Sequence, residues 1–272
     1  MPLFSIVTVT LNPPTGDLRR TLDSVLGQDF EDWELIIKDG GSEFGWVEGI
    51  PEDGRIRVLV QKDSGIFDAM NQTLGLVEGR YVCFLNAGDT FYDIHALRAV
   101  KAAIGDNPGV DFFYGDVAKP SSRSGFEIYP RRLTRRFLFS HSICHQAWFV
   151  SAGYYDRPER YDTKHAVGGD PAFLLRMLLQ HKVRSRKVER VIVSYAGGGI
   201  SQDAKHVRDN QLRIRKLKKE LYGKGEYGWL RSRELAHHVA KRLLYDTGAW
   251  RFVKTIKSIN IARQQTLKCK AK

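Results

Sequence analysis

The chain has little cysteine, no long apolar run and no charge excess in its first three quarters, and each shortage excludes something. The three cysteines in 272 residues, Cys83, Cys144 and Cys269, are odd in number and unpaired in spacing. They supply neither a disulfide framework nor a metal-ligand pattern, and they point to a reducing compartment. The longest apolar runs fall far short of the roughly 20 residues that span a bilayer. Met1-Pro2-Leu3-Phe4 has no basic n-region, so no secretory signal is expected. Internal repeats and low-complexity linkers are absent as well.

What is present is a composition of 42% hydrophobic and 27% charged residues, which suits a folded, soluble body. The length fits one domain with an appendage. The net charge of +12 is unevenly placed. Residues 1–202 carry 24 Lys and Arg against 25 Asp and Glu, a net of −1, while residues 203–272 carry 19 against 6, a net of +13. Such asymmetry points to a polyanion partner for the last quarter, nucleic acid or an anionic membrane, with a solvated helical hairpin as the plainer alternative.

Hydrophobic patterning alternates strand and helix. Strands are expected at Phe4 to Leu11, Trp33 to Ile37, Ile56 to Val60, Tyr81 to Leu85, Val110 to Tyr114 and Val188 to Val193. Helices are expected from Asp17, as the cap, to Leu26, from Ile66 to Val77, from Ile94 to Ile104, and from Pro171 to Leu179 with Asp170 as its cap. Gly115 to Gly169 reads as irregular and aromatic, and Gln202 onward as helical and basic. This is the pattern of an α/β domain with a mainly parallel sheet flanked by helices, Rossmann-like, over residues 1–201. A basic α-helical extension follows over residues 202–272.

Polar residues gather where the strands end, the edge at which open α/β sheets bind ligands. Thr10 and Asn12 follow the first strand and Asp39-Gly40-Gly41-Ser42 follows the second. Lys62-Asp63-Ser64-Gly65 opens the helix that carries Asp68, Ala69, Met70 and Asn71, and Asn86-Ala87-Gly88-Asp89 follows the fourth strand. Each has a plain reading beside the functional one: an Asp-Gly turn for Asp39, a first-turn acid for Asp68, a helix cap for Asp89. Farther on stand Cys144-His145-Gln146 and Gly168-Gly169-Asp170-Pro171. His141 and His145 lie four apart, but no third ligand follows at zincin spacing, so zinc is not expected.

The order and spacing of these motifs, over roughly residues 3–201, resembles the bacterial nucleotide-sugar glycosyltransferases of family 2. These have the GT-A fold and occur in capsule, O-antigen and colanic-acid-type exopolysaccharide clusters. The resemblance implies that Thr10 and Asn12 floor the nucleotide pocket, that Asp39 and Asp63 hold the nucleoside, and that Asp68 and Asn71 belong to a run closing over nucleotide and donor sugar. Asn86 and Asp89 stand where the family's Asp-x-Asp motif binds Mn²⁺ or Mg²⁺, and Asp89 is the expected metal ligand. His145 and Gln146 are implied sugar-binding residues, a structural histidine being the alternative. Asp170 is the implied base, and an N-cap position would keep it ionised.

Three departures from the family pattern stand out. Gly40 replaces the second acid of a pair, Ala87 or Gly88 the first acid of the metal motif, and Gly169 an acid before the base. The Gln-x-x-Arg-Trp motif of processive synthases is missing, since Gln211-Leu212-Arg213-Ile214-Arg215 has no Trp.

The expectation is therefore an inverting, metal-dependent transfer of one sugar from a nucleotide-diphospho-sugar to a lipid-linked or saccharide acceptor in surface polysaccharide biosynthesis. Two amphipathic sets, Leu235, Val239 and Leu243, then Trp250, Val253, Ile256 and Ile259 or Asn260, lie among Lys241, Arg242, Lys254 and Lys257. They suggest a peripheral, cytoplasmic-face association with anionic membrane, the first set alternatively packing on the catalytic domain. No nucleic-acid partner is expected. One rival is a sugar nucleotidyltransferase, against which stand one Gly and no Lys between Thr8 and Arg19. The other is a degenerate GT-A domain that binds nucleotide-sugar or a polyanion without catalysis.

Overall fold

The computed structural model describes residues 1–43, 49–122, 124–157, 160–163, 168–197 and 204–246. Contacts divide the chain into two units, Met1–Leu221 and Tyr222–Lys272. The first unit alternates strand and helix as the patterning requires. β1 (Phe4–Thr10) and β2 (Trp33–Asp39) are buried along their whole length. β3 (Ile56–Val60) lies outside them, half-exposed. α1 (Asp17–Leu26) turns Leu18, Leu22 and Val25 to the core. Its cap is Gly16, in the left-handed region at φ 87, and not Asp17, which opens the helix and pairs with Arg20.

α2 (Ile66–Thr73) is followed by a 3-10 turn, Leu74–Leu76. β4 (Tyr81–Phe84), β5 (Thr90–Phe91), α3 (Ala96–Asp106), β6 (Phe112–Ala118), β7 (Phe126–Glu127), α4 (Arg135–Ser140), β8 (Trp148–Ser151), α5 (Gly169–Leu175) and β9 (Ser185–Ser194) complete the body. Nine described strands form one sheet in the order β3-β2-β1-β4-β8-β6-β9-β5, with β7 attached to β6. β1 to β4 pair in parallel. β8 then enters antiparallel between β4 and β6, and β5 runs antiparallel to β9. The sheet is therefore mixed: β3-β2-β1-β4 is parallel, and beyond β8 only β6 and β9 pair in parallel among the described strands.

α6 (Ala204–Asp246) contains a non-helical residue, Gly223, at φ 70. Its first part belongs to the first unit, where Leu217 joins the core and Ile214 and Leu221 pack against it. The packing boundary therefore falls at Leu221, later than the change in charge at residue 202, because apolar side chains continue to find the core. In the second unit the stripe Leu235, Val239 and Leu243 is exposed at 59%, 51% and 57%. The second stripe, from Trp250 onward, and Gly198-Gly199-Ile200-Ser201 lie outside the described residues. No described helix is long and apolar enough to cross a membrane.

Candidate active site

The loops after β1 and β2 are tied to each other. Asn12 sits at φ 45, where its side chain can serve the neighbouring loop. Its N–H donates to Ser42 Oγ (2.7 Å) and its Oδ1 accepts from Glu43 N (3.1 Å). Asp39 is fully buried and spends both oxygens on its own turn. Oδ2 accepts from Gly41 N and Ser42 N, and Oδ1 accepts from Ser42 Oγ. Thr10 Oγ1 is buried without a hydrogen-bond partner, a hydroxyl still open to a ligand. A cavity of about 640 Å³ opens beside Asn12, bounded by Pro13, Pro14, Leu18, Ser42 and Ile50. That volume lies within the range of small-molecule sites.

Asp63 forms an ion pair that its spacing did not announce. Lys38 Nζ lies 2.6 Å from Asp63 Oδ2, and the two side chains are 0% and 7% exposed. The ammonium also donates to Gln61 O (2.7 Å) and Asp39 O (3.2 Å), so all three of its protons are used. Asp63 Oδ1 accepts from Gly65 N. Gly40 makes room for this arrangement: a Cβ there would stand 2.8 Å from Asp63 Oδ2. The missing second acid of the family pair is thus linked to a buried lysine, and both loops hang from one ion pair.

α2 joins the two sides of the site. Asp68 Oδ2 accepts from Ser64 N and Ser64 Oγ and so closes the loop before the helix. Asn71 grips the backbone of Tyr161 at two points: Nδ2 donates to Tyr161 O (2.8 Å), and Oδ1 accepts from Tyr161 N (3.1 Å). Tyr161 stacks on Phe67 and Phe173. A Cβ at Gly169 would meet the Phe67 ring at 2.8 Å, so the glycine before Asp170 lets α2 and α5 pack. α5 begins at Gly169, and its cap is Gly168 at φ 81, not Asp170. Asp170 sits in the first turn, where the helix dipole still favours its charge.

The remaining expected residues converge. Thr21 Oγ1 accepts from Gly88 N and donates to Asp89 O, which fixes the Asn86–Asp89 turn against α1. Asp89 is 5% exposed; Gln146 Nε2 donates to its Oδ2 (2.8 Å) and Ala196 N to its Oδ1 (2.9 Å). Asn86 Nδ2 lies 3.3 Å from His145 Nε2, and His145 Nδ1 lies 3.6 Å from Asp170 Oδ2. Asn86, Asp89, His145, Gln146 and Asp170 thus form one polar cluster from three separate segments. Thr21 and Ala196 support it, as Lys38 supports the Asp63 loop and Tyr161 the junction of α2 with α5, and all four escaped the sequence reading. Of these only Lys38 left a trace, as a lysine closing the apolar run Leu35-Ile36-Ile37.

Burial raises the Asp89 carboxyl to about 6, against an ordinary 3.8, although Ala196 N, His145 and Gln146 pull it down. Its folded value stands above the unfolded one, so the folded state holds this proton more tightly between them. The stabilisation is full below about pH 4 and is lost as pH rises through about 6. The loss amounts to about 3 kcal/mol at 1.36 kcal/mol per unit. We expect Asp89→Asn to flatten this part of the pH profile in metal-free protein. Urea unfolding at pH 4 and pH 7 reads the difference, and equal slopes in both proteins would show that the carboxyl is not desolvated.

Whether the cluster suits a divalent cation rests on its oxygens. Among the described residues no group of three or more His, Cys, Asp and Glu gathers. Hard cations at diphosphate sites take only one or two protein oxygens and draw the rest from phosphate and water. Two such donors are present. Asn86 Oδ1 is buried with no partner, and each Asp89 oxygen retains a lone pair beyond its one hydrogen bond.

Comparison with known proteins agrees with this architecture. The model of the glycosyl transferase family 2 matches residues 5–180. A protein of Mycobacterium bovis (strain BCG / Pasteur 1173P2) named PGL/p-HBAD biosynthesis glycosyltransferase is 33% identical over 211 residues, 74% of this chain and 79% of that protein. In fold, the chain is similar to S. aureus TarS 1–349 solved with UDP-GlcNAc, at TM-score 0.64 and 16% identity, covering 80% of this chain and 65% of that one. It is also similar to the mannosyltransferase PcManGT from Pyrobaculum calidifontis in complex with GDP-Man and Mn²⁺, at TM-score 0.61 and 18% identity, covering 91% and 79%. At those identities the two structures speak for the fold alone. The family model, spanning more than half the chain, and the Mycobacterium relative speak for more: this chain is a glycosyltransferase of GT-A fold and belongs to glycosyl transferase family 2.

Proposed function

We propose that the enzyme moves one sugar from a nucleotide-diphospho-sugar to a hydroxyl of a saccharide or lipid-linked saccharide, with inversion, in bacterial surface glycoconjugate assembly. The observation that carries this reading is the convergence of Asn86, Asp89, His145, Gln146 and Asp170 at the edge where β4 ends. Asp170 is the partly exposed carboxylate of the cluster, at 28%, and takes the proton of the acceptor hydroxyl. As that proton leaves, the acceptor oxygen bonds the anomeric carbon and the bond from that carbon to the diphosphate oxygen breaks. A single carboxylate suffices for such a displacement.

His145 lies between Asn86 and Asp170 and orients the base. With Nε2 facing the Asn86 amide, Nδ1 carries its proton toward Asp170. Gln146 holds Asp89 in place. Asn86 and Asp89 would hold a divalent cation, which when bound supplies charge neutralisation for the leaving diphosphate. Thr10 and the tied loops of Asn12, Asp39 and Asp63 form the nucleoside side, where Asp39 and Asp63 act by shaping the loops around the ligand.

The TarS and PcManGT structures, solved with UDP-GlcNAc and with GDP-Man and Mn²⁺, support a nucleotide-sugar donor. The name of the Mycobacterium relative places that protein in PGL/p-HBAD biosynthesis, which accords with a glycoconjugate product. The exposed stripe Leu235, Val239 and Leu243 in a segment of +13 net charge supports peripheral attachment to an anionic membrane at its cytoplasmic face.

A thermal-shift screen of UDP, GDP, CMP and dTDP sugars, with and without Mn²⁺, tests the donor. A ligand at 100 times its Kd stabilises by about 2.7 kcal/mol, which is a rise of roughly 5–10 °C at this size. One nucleotide class is expected to respond, and more strongly with Mn²⁺. Silence from every sugar nucleotide would refute the donor assignment.

A further inference from the structure

Where Tyr92, just past β5, packs on Phe126 of β7, the surface of the first unit presents apolar side chains that the core does not use. Tyr92 is 44% exposed, Ile94 53%, Phe126 39% and Ile128 66%. Phe126 and Ile128 are two apart and share a face. Tyr92 packs edge-on against Phe126 at 6.2 Å. The intervening polar residues are engaged elsewhere, Asp93 with Arg190 and Glu127 with Lys119 and the Tyr129 hydroxyl. The residues left outward are therefore the apolar ones.

Beside this ridge the chain runs Arg131-Arg132-Leu133-Thr134-Arg135-Arg136. All four arginines are exposed, and residues 126–136 contain one acid, a net of +3. Arg131 pairs with Glu189 (2.5 Å) and Arg135 donates to Leu221 O (3.1 Å). Aromatic and aliphatic tips flanked by arginines form the chemistry of an interface between water and lipid. An apolar patch of this kind on a soluble domain marks a contact surface.

We propose that this ridge, Tyr92, Ile94, Phe126 and Ile128 with Arg131 to Arg136, docks the catalytic unit on an anionic bilayer surface. It is a second membrane contact, separate from the basic C-terminal segment. It rests on the proposed lipid-linked acceptor for its purpose only, since docking needs no turnover.

The placement gives that purpose. Tyr92 is three residues past Asp89, a reach of about 10 Å at most. The segment carrying the arginines, which runs into α4, follows Tyr129, whose hydroxyl accepts from Cys144 N (3.0 Å), next to His145. Docking would therefore bring the Asp89–His145 side of the site to the headgroup plane, where a lipid-linked hydroxyl is presented.

Co-sedimentation of the full chain with phosphatidylcholine vesicles, with and without phosphatidylglycerol, tests the surface. Binding is expected only with phosphatidylglycerol and should weaken with salt. Arg132→Gln with Arg136→Gln is expected to lower partitioning by roughly 25-fold, about fivefold per arginine. Ile128→Asp should lower it further at an unchanged melting temperature, because the side chain is exposed. Lys254→Gln with Lys257→Gln serves as the comparison.

If only the tail variant loses binding, the ridge is not a docking site and the proposal falls. It falls as well if Ile128→Asp breaks a dimer in solution and leaves vesicle binding intact, which would make the ridge a self-interface. Turnover on a soluble acceptor is read separately, so an inactive protein that still binds vesicles through the ridge would sink the transfer reading and not this one.

Discussion

Asp170→Asn is expected to lower the turnover number by about 10²- to 10⁴-fold, the range a positioned general base contributes, with donor affinity unchanged. The substitution keeps size and shape. Asp170 sits in the first turn of a helix capped by Gly168, so losing its charge there costs only about 0.3–1 kcal/mol of helix stabilisation. The tight seat of Gly169 against Phe67 is unaffected. What disappears is the carboxylate oxygen 3.6 Å from His145 Nδ1. His145→Ala should cost less, because on the proposed mechanism it removes the residue that orients Asp170 and leaves the Asp170 carboxylate itself. Single-turnover transfer at saturating donor separates the two variants from defects in binding. Wild-type turnover in Asp170→Asn would place the base elsewhere.

Strand ends and their carboxylates were legible in the sequence because they are local. Phe4–Thr10, Trp33–Asp39 and Ile56–Val60 follow directly from apolar runs, and Thr10 and Asp39 close the first two. Two kinds of feature were not legible. The first is glycine as a crossing point. Gly115 reads as a break, yet β6 continues through it to Ala118, because Ile192 of β9 crosses where a side chain would stand. The second is pairing over long sequence separation. Gln146 and Asp89 are 57 residues apart, and Asn71 and Tyr161 are 90 apart. Nothing in local periodicity reports such pairs. Asn71 shows the consequence. Its place in Asp68-Ala69-Met70-Asn71 suggested contact with nucleotide or sugar, whereas its amide grips the backbone that leads to α5. The cluster of five residues was found residue by residue from family resemblance, but its connectivity, Asn86 to His145 to Asp170, is a property of the folded chain.

Lys38→Met is expected to lower stability by roughly 3–5 kcal/mol, the cost of leaving one partner of a buried ion pair uncompensated. The pair is closed to water, with Lys38 and Asp63 side chains 0% and 7% exposed at 2.6 Å. Methionine fills the volume of the lysine stem, so little of the loss comes from a cavity. What remains is a buried carboxylate with one backbone donor, Gly65 N, and one carbonyl, Gln61 O, that has lost its ammonium donor, while Asp39 O keeps Gln61 N. At this chain length each kcal/mol shifts the melting temperature by about 2–4 °C, so the single variant should melt roughly 6–20 °C lower. Lys38→Met combined with Asp63→Leu removes the charge as well as its partner and should regain most of the loss. Full additivity of the two substitutions would show that the pair is not coupled. Function should part from stability in this double variant. Gly40 to Ser42 and Ser64 to Gly65 keep their helix and strand anchors but lose the ion pair that spans them, so donor affinity should stay low while the melting temperature recovers. Wild-type donor affinity in the recovered double variant would remove these loops from the nucleoside side of the site.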